Sequence, residues 1–315
     1  MHRRPTFRLL LLLVFTTAQA GAQPQDFDGL FNPETSPESS AVSLTLPEPE
    51  EAVPAINYVF SREDFNNPVV EIRTSMGTMV LELFPEEAPL AVANFMDLAE
   101  GGKPWTDPYS GLDVIRPFYD GLTFHRVIDG FMIQSGSPTG LADGNPGFTF
   151  RDEINARSLG LDKMQALDSA GKPHPLLGIH DEATFREKML APLYEKMQIT
   201  SRAELETRID EVNTALHAMT VKEGLENLGY RFNERYLSRM PVRGVIAMAN
   251  SGPDSNGSQF FITLTDTDWL AGRYTVFGKV RVGLDVLDAV GKVPVDANNR
   301  PLQDVTILSV RQIPL

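Results

Sequence analysis

The chain has 315 residues, 42% hydrophobic and 22% charged, proportions that suit one large or two small globular domains and exclude a chain disordered or membrane-embedded throughout. Lys and Arg number 28 against 42 Asp and Glu, and the resulting formal charge of −14 repels phosphate backbones and anionic lipid surfaces, so nucleic acid is not an expected partner. Cysteine is absent, which removes disulfides, thiolate nucleophiles and Cys-based zinc sites together.

The first residues read as an address. Arg3, Arg4 and Arg8 form a basic region before an apolar run, Leu9 to Phe15, and the small-residue pattern Ala18-Gln19-Ala20 is repeated at Ala20-Gly21-Ala22. The run is shorter than the ~20 residues that span a bilayer. Residues 1–20 are expected to be a secretory signal peptide, cleaved near Ala20 or Ala22, leaving a periplasmic or secreted protein with no stable membrane insertion. Residues 21–66 carry no Lys or Arg before Arg62 and are broken by Pro24, Pro33, Pro37, Pro47, Pro49 and Pro54. Such an acidic, Pro-rich stretch buries too little apolar surface to offset its chain entropy, and a disordered linker is expected.

Val69 to Thr74 and Met79 to Phe84 read as two strands around a Met76-Gly77 turn. Pro85 to Pro89 opens a helix with acidic residues at its start, Leu90, Asn94, Phe95 and Leu98 repeat at helical spacing, and Gly101-Gly102 ends it. Strands follow at Leu122 to Ile128 and Phe131 to Ser135 around the Asp129-Gly130 turn. Further strands are expected at Gly244 to Ala249, Gln259 to Leu264, Thr275 to Val280 and Val305 to Gln312, with a short helix at Leu284 to Val290. Many short strands with two helices predict a mainly β fold, a closed antiparallel barrel, over residues 67–156 and 240–315.

Between these parts the apolar period changes from two to about 3.6. Ser201 to Glu204 fits a capping box before Leu205, Ile209, Val212, Leu216 and Met219, and Phe185, Met189, Leu193 and Met197 lie four apart with Pro192 as a kink. Residues 157–239 are read as an inserted α-helical subdomain. Both its ends lie between the chemistry-bearing segments, so it is expected near their rim, either as a platform for long clients or as a self-packed hairpin. Its replacement by a short loop is expected to leave turnover of a short peptide near wild type.

Hydrolase, kinase and metalloenzyme motifs are missing. Gly252 to Ser258 lacks the lysine of a phosphate loop, and His174, His180 and His217 have no zinc-like spacing. Two dense segments remain, Tyr119 to Gly136 and Met248 to Val280. Each sets bulky apolar residues beside a few planar polar ones, which fits an apolar pocket with directed donors or a barrel core with its polar residues outside.

Both segments resemble the signature of cyclophilins, the peptidyl-prolyl cis-trans isomerases, and the similarity extends to Phe84 through Phe95 and to Asp152-Glu153. The resemblance implies a closed eight-stranded barrel capped by two helices. It implies Arg126 and Gln134 as catalytic residues and Phe131, Met132, Phe261 and Leu270 as a proline pocket. Ala249, Asn250, Gln259 and Tyr274 match substrate-lining positions, and Trp269 matches the tryptophan associated with cyclosporin binding. Tyr274 stands where many members have histidine, a substitution also met in bacterial members. His125 is read as structural rather than as an acid or base. The implied activity is X-Pro isomerisation of unfolded or exported polypeptides, with no cofactor or metal and with cyclosporin as an inhibitor. The competing reading is a non-catalytic proline-segment binding module or periplasmic chaperone, against which Arg126, Phe131, Gln134 and Phe261 weigh because all four are intact.

Overall fold

In the hairpin of β1 (Val69–Thr74) and β2 (Gly77–Leu83), Val70 faces Leu81 and Ile72 faces Met79, all four buried. The computed structural model describes Tyr58 and residues 60–314. The expected signal peptide and most of the expected linker lie outside the described residues. The chain divides into two units, Met1–Tyr58 and Val59–Leu315, and every strand and helix of the described residues lies in the second.

Helix α1 (Pro89–Glu100) begins at a proline and ends at Gly101, whose φ of +71° gives the left-handed cap. Its first turn contains no acidic residue, contrary to the sequence reading, and Ala88 supplies no side-chain cap. The missing acceptor comes from elsewhere in the chain: the Glu153 carboxylate accepts from Leu90 N at 3.0 Å and Ala91 N at 2.9 Å. Glu87 instead ion-pairs with Arg239.

A two-residue pair, β3 (Trp105–Thr106) and β4 (Asp113–Val114), precedes β5 (Arg126–Ile128) and β6 (Met132–Ser135). After the helical segment come β7 (Val245–Met248), β8 (Phe260–Thr263), β9 (Val276–Val282), helix α7 (Leu284–Gly291) and β10 (Ile307–Gln312). Eight strands form one antiparallel sheet in the order β10-β1-β2-β9-β7-β8-β6-β5.

The sheet is curled but open, which corrects the closed barrel expected from the sequence. The strand read from Leu122 joins the ladder only at Arg126, because the residues before it exchange backbone hydrogen bonds with Val305 and Ile307 instead. The free edge of β5 is met by a loop, Val127 N donating to Asn299 O at 2.8 Å, and not by β10. At the seam the chain before β5 touches the chain before β10 through the isolated bridge Thr123–Thr306. The concave side is filled from α1, whose Phe95 ring lies 4.9 Å from Tyr119, 5.6 Å from Phe260 and 5.3 Å from Phe277. Leu287 and Val290 of α7 join the same core.

Residues 62–67, the last of the stretch read as linker and its neighbour, are held. Glu82 of β2 is wholly buried, and its carboxylate accepts from Glu63 N (3.0 Å), Asp64 N (3.2 Å), Asn67 Nδ2 (2.7 Å) and Arg281 Nε (2.8 Å). A buried carboxylate persists only with such partners.

Between β6 and β7 lie α2 (Glu182–Phe185), α3 (Ala191–Lys196), α4 (Arg202–Thr207), α5 (Ile209–Ala218) and α6 (Val221–Asn227). The kink assigned to Pro192 takes the form of a wide π turn, Arg186–Leu190, because proline has no N–H to close the preceding turn. The single helix expected after Ser201 is two, broken at Arg208. Glu204 turns back to Thr200 N rather than Ser201, and the reciprocal capping box is Thr220 with Glu223. No helix of the described residues is long and apolar enough to cross a membrane.

Candidate active site

The alternation of strand side chains divides the sheet into two chemistries. On the concave side Val127, Ile133, Ile262 and Ile246 lie opposite one another from β5 to β7 and belong to the core. One residue along each strand, the register runs Arg126–Gln134–Phe261–Ala247–Val276. A bulge after Ile246 lets Phe277 enter the core while Val276 stays in this outer row.

The outer row carries the candidate site. Met132, Phe261, Ala247, Val245 and Val276 form an apolar floor, with Phe131, Ala249, Leu270 and Tyr274 half-buried around it. The Tyr274 ring stands edge-on to Phe261 at 5.3 Å. Phe131 and Trp269 lie 5.9 Å apart, and Trp269 remains 48% exposed, leaving an open aromatic rim.

Arg126 is exposed at the sheet edge and Gln134 is buried beside it. Their orientation is fixed from behind by amide chemistry. Gln259 Nε2 donates to Ala142 O at 2.8 Å and Gly144 O at 2.6 Å, so its oxygen faces Gln134 and accepts from Gln134 Nε2 at 2.9 Å. That turns Gln134 Oε1 toward Arg126, whose Nη1 donates to it at 3.4 Å. A rigid cation at the rim of an apolar cleft can bind an oxygen or a nitrogen lone pair brought there by a ligand seated on Phe261.

Nine of the eleven residues singled out in the sequence, Arg126, Phe131, Met132, Gln134, Ala249, Gln259, Phe261, Leu270 and Tyr274, are tied together by these contacts. Trp269 joins through Phe131. Asn250 is occupied inside the fold: its Nδ2 donates to Arg273 O at 3.1 Å and to Asn256 Oδ1 at 3.3 Å, and its Oδ1 accepts from Gly252 N at 3.3 Å. Sequence reasoning missed the part of Asp152, which holds the 250–256 loop through Asp254 N (2.9 Å) and Asn256 Nδ2 (2.8 Å), with burial pushing its carboxyl above the usual range. His125 lies buried behind Arg126. Burial first, then the charges of Arg126 and Arg300, push it down to about 4, so the ring is neutral at pH 7.

A family model described as cyclophilin type peptidyl-prolyl cis-trans isomerase/CLD matches residues 69–312. The chain is 32% identical over 242 residues to peptidyl-prolyl cis-trans isomerase B of Streptomyces anulatus, covering 76% of this chain and 93% of that protein. It is also 32% identical over 241 residues to peptidyl-prolyl cis-trans isomerase A of Mycobacterium tuberculosis, covering 76% and 88%. A crystal structure of a Cryptosporidium parvum cyclophilin type peptidyl-prolyl cis-trans isomerase aligns with a TM-score of 0.46 and 23% identity, over 79% of this chain and 99% of that one. The chain therefore belongs to the cyclophilin family and is a peptidyl-prolyl cis-trans isomerase.

Proposed function

We propose that this is an exported isomerase that accelerates X-Pro rotation in secreted or periplasmic polypeptides by stabilising the twisted amide with Arg126. Rotation about X-Pro opposes a barrier of about 18–20 kcal/mol because conjugation gives the bond partial double character, and uncatalysed exchange takes tens to hundreds of seconds. At the twisted geometry the prolyl nitrogen loses conjugation and gains a localised lone pair. A guanidinium N–H binds that lone pair better than it binds the planar ground state, which is differential transition-state binding. Arg126 suits the task because it stays charged and presents a planar donor fork. Phe131, Met132, Phe261, Leu270 and Tyr274 seat the ring, and Gln134 orients the neighbouring carbonyl. Ala249, Asn250 and Gln259 line the path of the flanking chain, Asn250 by shaping its loop. Export rests on the basic and apolar start of the sequence and its two small-residue cleavage patterns. Residues 157–239 are read as an insertion into the cyclophilin domain, and cyclosporin as a ligand of the Trp269 rim.

The observation that carries the reading is the register row that sets Arg126 and Gln134 beside Phe261 on the outer face. A protease-coupled assay on a short X-Pro peptide tests it with Arg126→Lys, which keeps the charge and loses the fork. We expect kcat/KM to fall by about 100-fold with the melting temperature unchanged and peptide affinity reduced far less. Comparable turnover in mutant and wild type would remove Arg126 from the mechanism.

A further inference from the structure

The wall of the pocket from Trp269 to Tyr274 is not part of any ladder. Within it the backbone hydrogen bonds are local: Leu270 N donates to Thr267 O, Ala271 N to Asp268 O and Arg273 N to Leu270 O. Beyond the Asn250 side chain that donates to Arg273 O, its position is set by what packs behind it, and two glycines show what that is. Gly272 has φ +83°, and a Cβ there would lie 2.5 Å from Leu161 Cδ1 and 2.9 Å from Leu225 Cδ1. Gly178 has φ +64°, and a Cβ there would lie 3.0 Å from Nη1 of Arg273. Leu161 and Leu225 are wholly buried, so both press on the backbone between Leu270 and Tyr274. Tyr230 is buried with the Arg273 side chain beside its hydroxyl. The tight turn Pro175–Leu177, closed by Gly178, packs on the turn Asp268–Leu270, and α6 comes so close behind it that a Cβ on Gly224 would lie 2.7 Å from Leu177.

We propose that the helical segment is a buttress of the catalytic pocket, in which Leu161, Leu225 and Tyr230 act as positioning residues that hold Leu270 and Tyr274 against Phe261. Affinity for even the shortest proline peptide then depends on this segment, which departs from the sequence expectation that its replacement leaves short-peptide turnover near wild type. The proposal rests on the reading of Leu270 and Tyr274 as walls of the proline pocket. A Leu225→Ala cavity or a Tyr230→Phe deletion lets the wall relax without touching Arg126. Seating contacts shared by ground and transition states appear in KM, whereas loss of the Arg126 interaction appears in kcat.

The experiment compares Leu225→Ala, Leu225→Met, Tyr230→Phe and Phe261→Ala in the full chain on a short X-Pro peptide. Trp269, one of two tryptophans, reports on the wall by its emission in a Trp105→Phe background. For Leu225→Ala we expect KM to rise about tenfold with kcat within about twofold, together with an altered Trp269 emission before peptide is added. Leu225→Met should restore both, and Tyr230→Phe should move both in the same direction by less. A lowered melting temperature with KM and Trp269 emission unchanged in Leu225→Ala and Tyr230→Phe would overturn the buttress. Should Leu225→Ala fail to fold, Tyr230→Phe decides alone, since it removes one hydroxyl. Phe261→Ala separates the two levels. If it weakens peptide binding while the buttress variants do not, only the buttress fails; if it too leaves binding unchanged, the pocket reading fails and takes the buttress with it.

Discussion

The two faces of the curled sheet are built from alternate residues of the same strands, yet they answer to different demands. Val127, Ile133, Ile262 and Ile246 are buried β-branched side chains whose worth lies in volume. Arg126, Gln134 and Phe261, one position away, are a cation, an amide and a ring whose worth lies in direction. On the proposed reading stability and catalysis are thus separated by one residue of register, and a one-residue slip would exchange them.

The sharpest break of this comparison pairs Ile262→Ala with Arg126→Lys. Truncating Ile262 leaves a cavity in a dry, filled core and should cost about 2–5 kcal/mol. Denaturant unfolding should show that loss, while the fraction still folded keeps a near-normal KM. The arginine variant should keep its stability and lose turnover. A stable Ile262→Ala enzyme with impaired turnover would show that the faces are not independent.

His125 sits where the faces meet, buried behind Arg126, and pH probes it. Its folded-state value of about 4 lies below the ordinary histidine value of about 6.5, so the unfolded chain takes up the proton first. Its contribution is fully present above pH 6.5 and is lost as pH falls toward 4, to a total of about 3 kcal/mol. Thermal melts from pH 7 to 4 should show that decline, and His125→Phe should flatten it. Turnover between pH 6 and 8 should not titrate with this ring, and an activity pKa that vanishes in His125→Phe would return it to the chemistry.

The smallest effect belongs to the exposed rim. Trp269→Phe keeps the apolar face and loses the lone indole donor, so cyclosporin inhibition should weaken by about tenfold, close to 1.4 kcal/mol, with kcat/KM changed by less than about threefold. Inhibition constants for both forms measure this, and equal inhibition would take Trp269 out of the ligand contact.

The sequence makes some of this molecule plain and hides the rest for physical reasons. The β1–β2 hairpin is legible because Val70, Ile72, Met79 and Leu81 alternate on one face. Trp105–Thr106 with Asp113–Val114 is not, since two residues carry no period. Helix α1 is legible from Phe95 and Leu98, but its acceptor, Glu153, is distant in the chain and no local rule reaches it. The open seam was hidden in the same way, because closure depends on whether β5 and β10 meet edge to edge and not on how many strands exist. At the site, the pattern alone left pocket and core equal. Only the pairing of three strands sets Arg126, Gln134 and Phe261 side by side on one face, and pairing is a non-local fact. Gln259 was legible as a lining residue but not as the amide that orients Gln134, since its partners are the carbonyls of Ala142 and Gly144.

The carboxylate of Glu82 carries a consequence for anyone trimming this protein. The family match starts at Val69, a natural place to cut. A fragment cut there would lose Glu63 N, Asp64 N and Asn67 Nδ2, three donors to a wholly buried acid, and would leave it with Arg281 alone. The excised domain would have to replace with water, on the outer face of β2, the donors that the strap now supplies to this carboxylate. A self-sufficient fragment must therefore retain the short acidic strap from Arg62 onward, which adds little area to the sheet but hydrogen-bonds the buried carboxylate on its outer face in place of water.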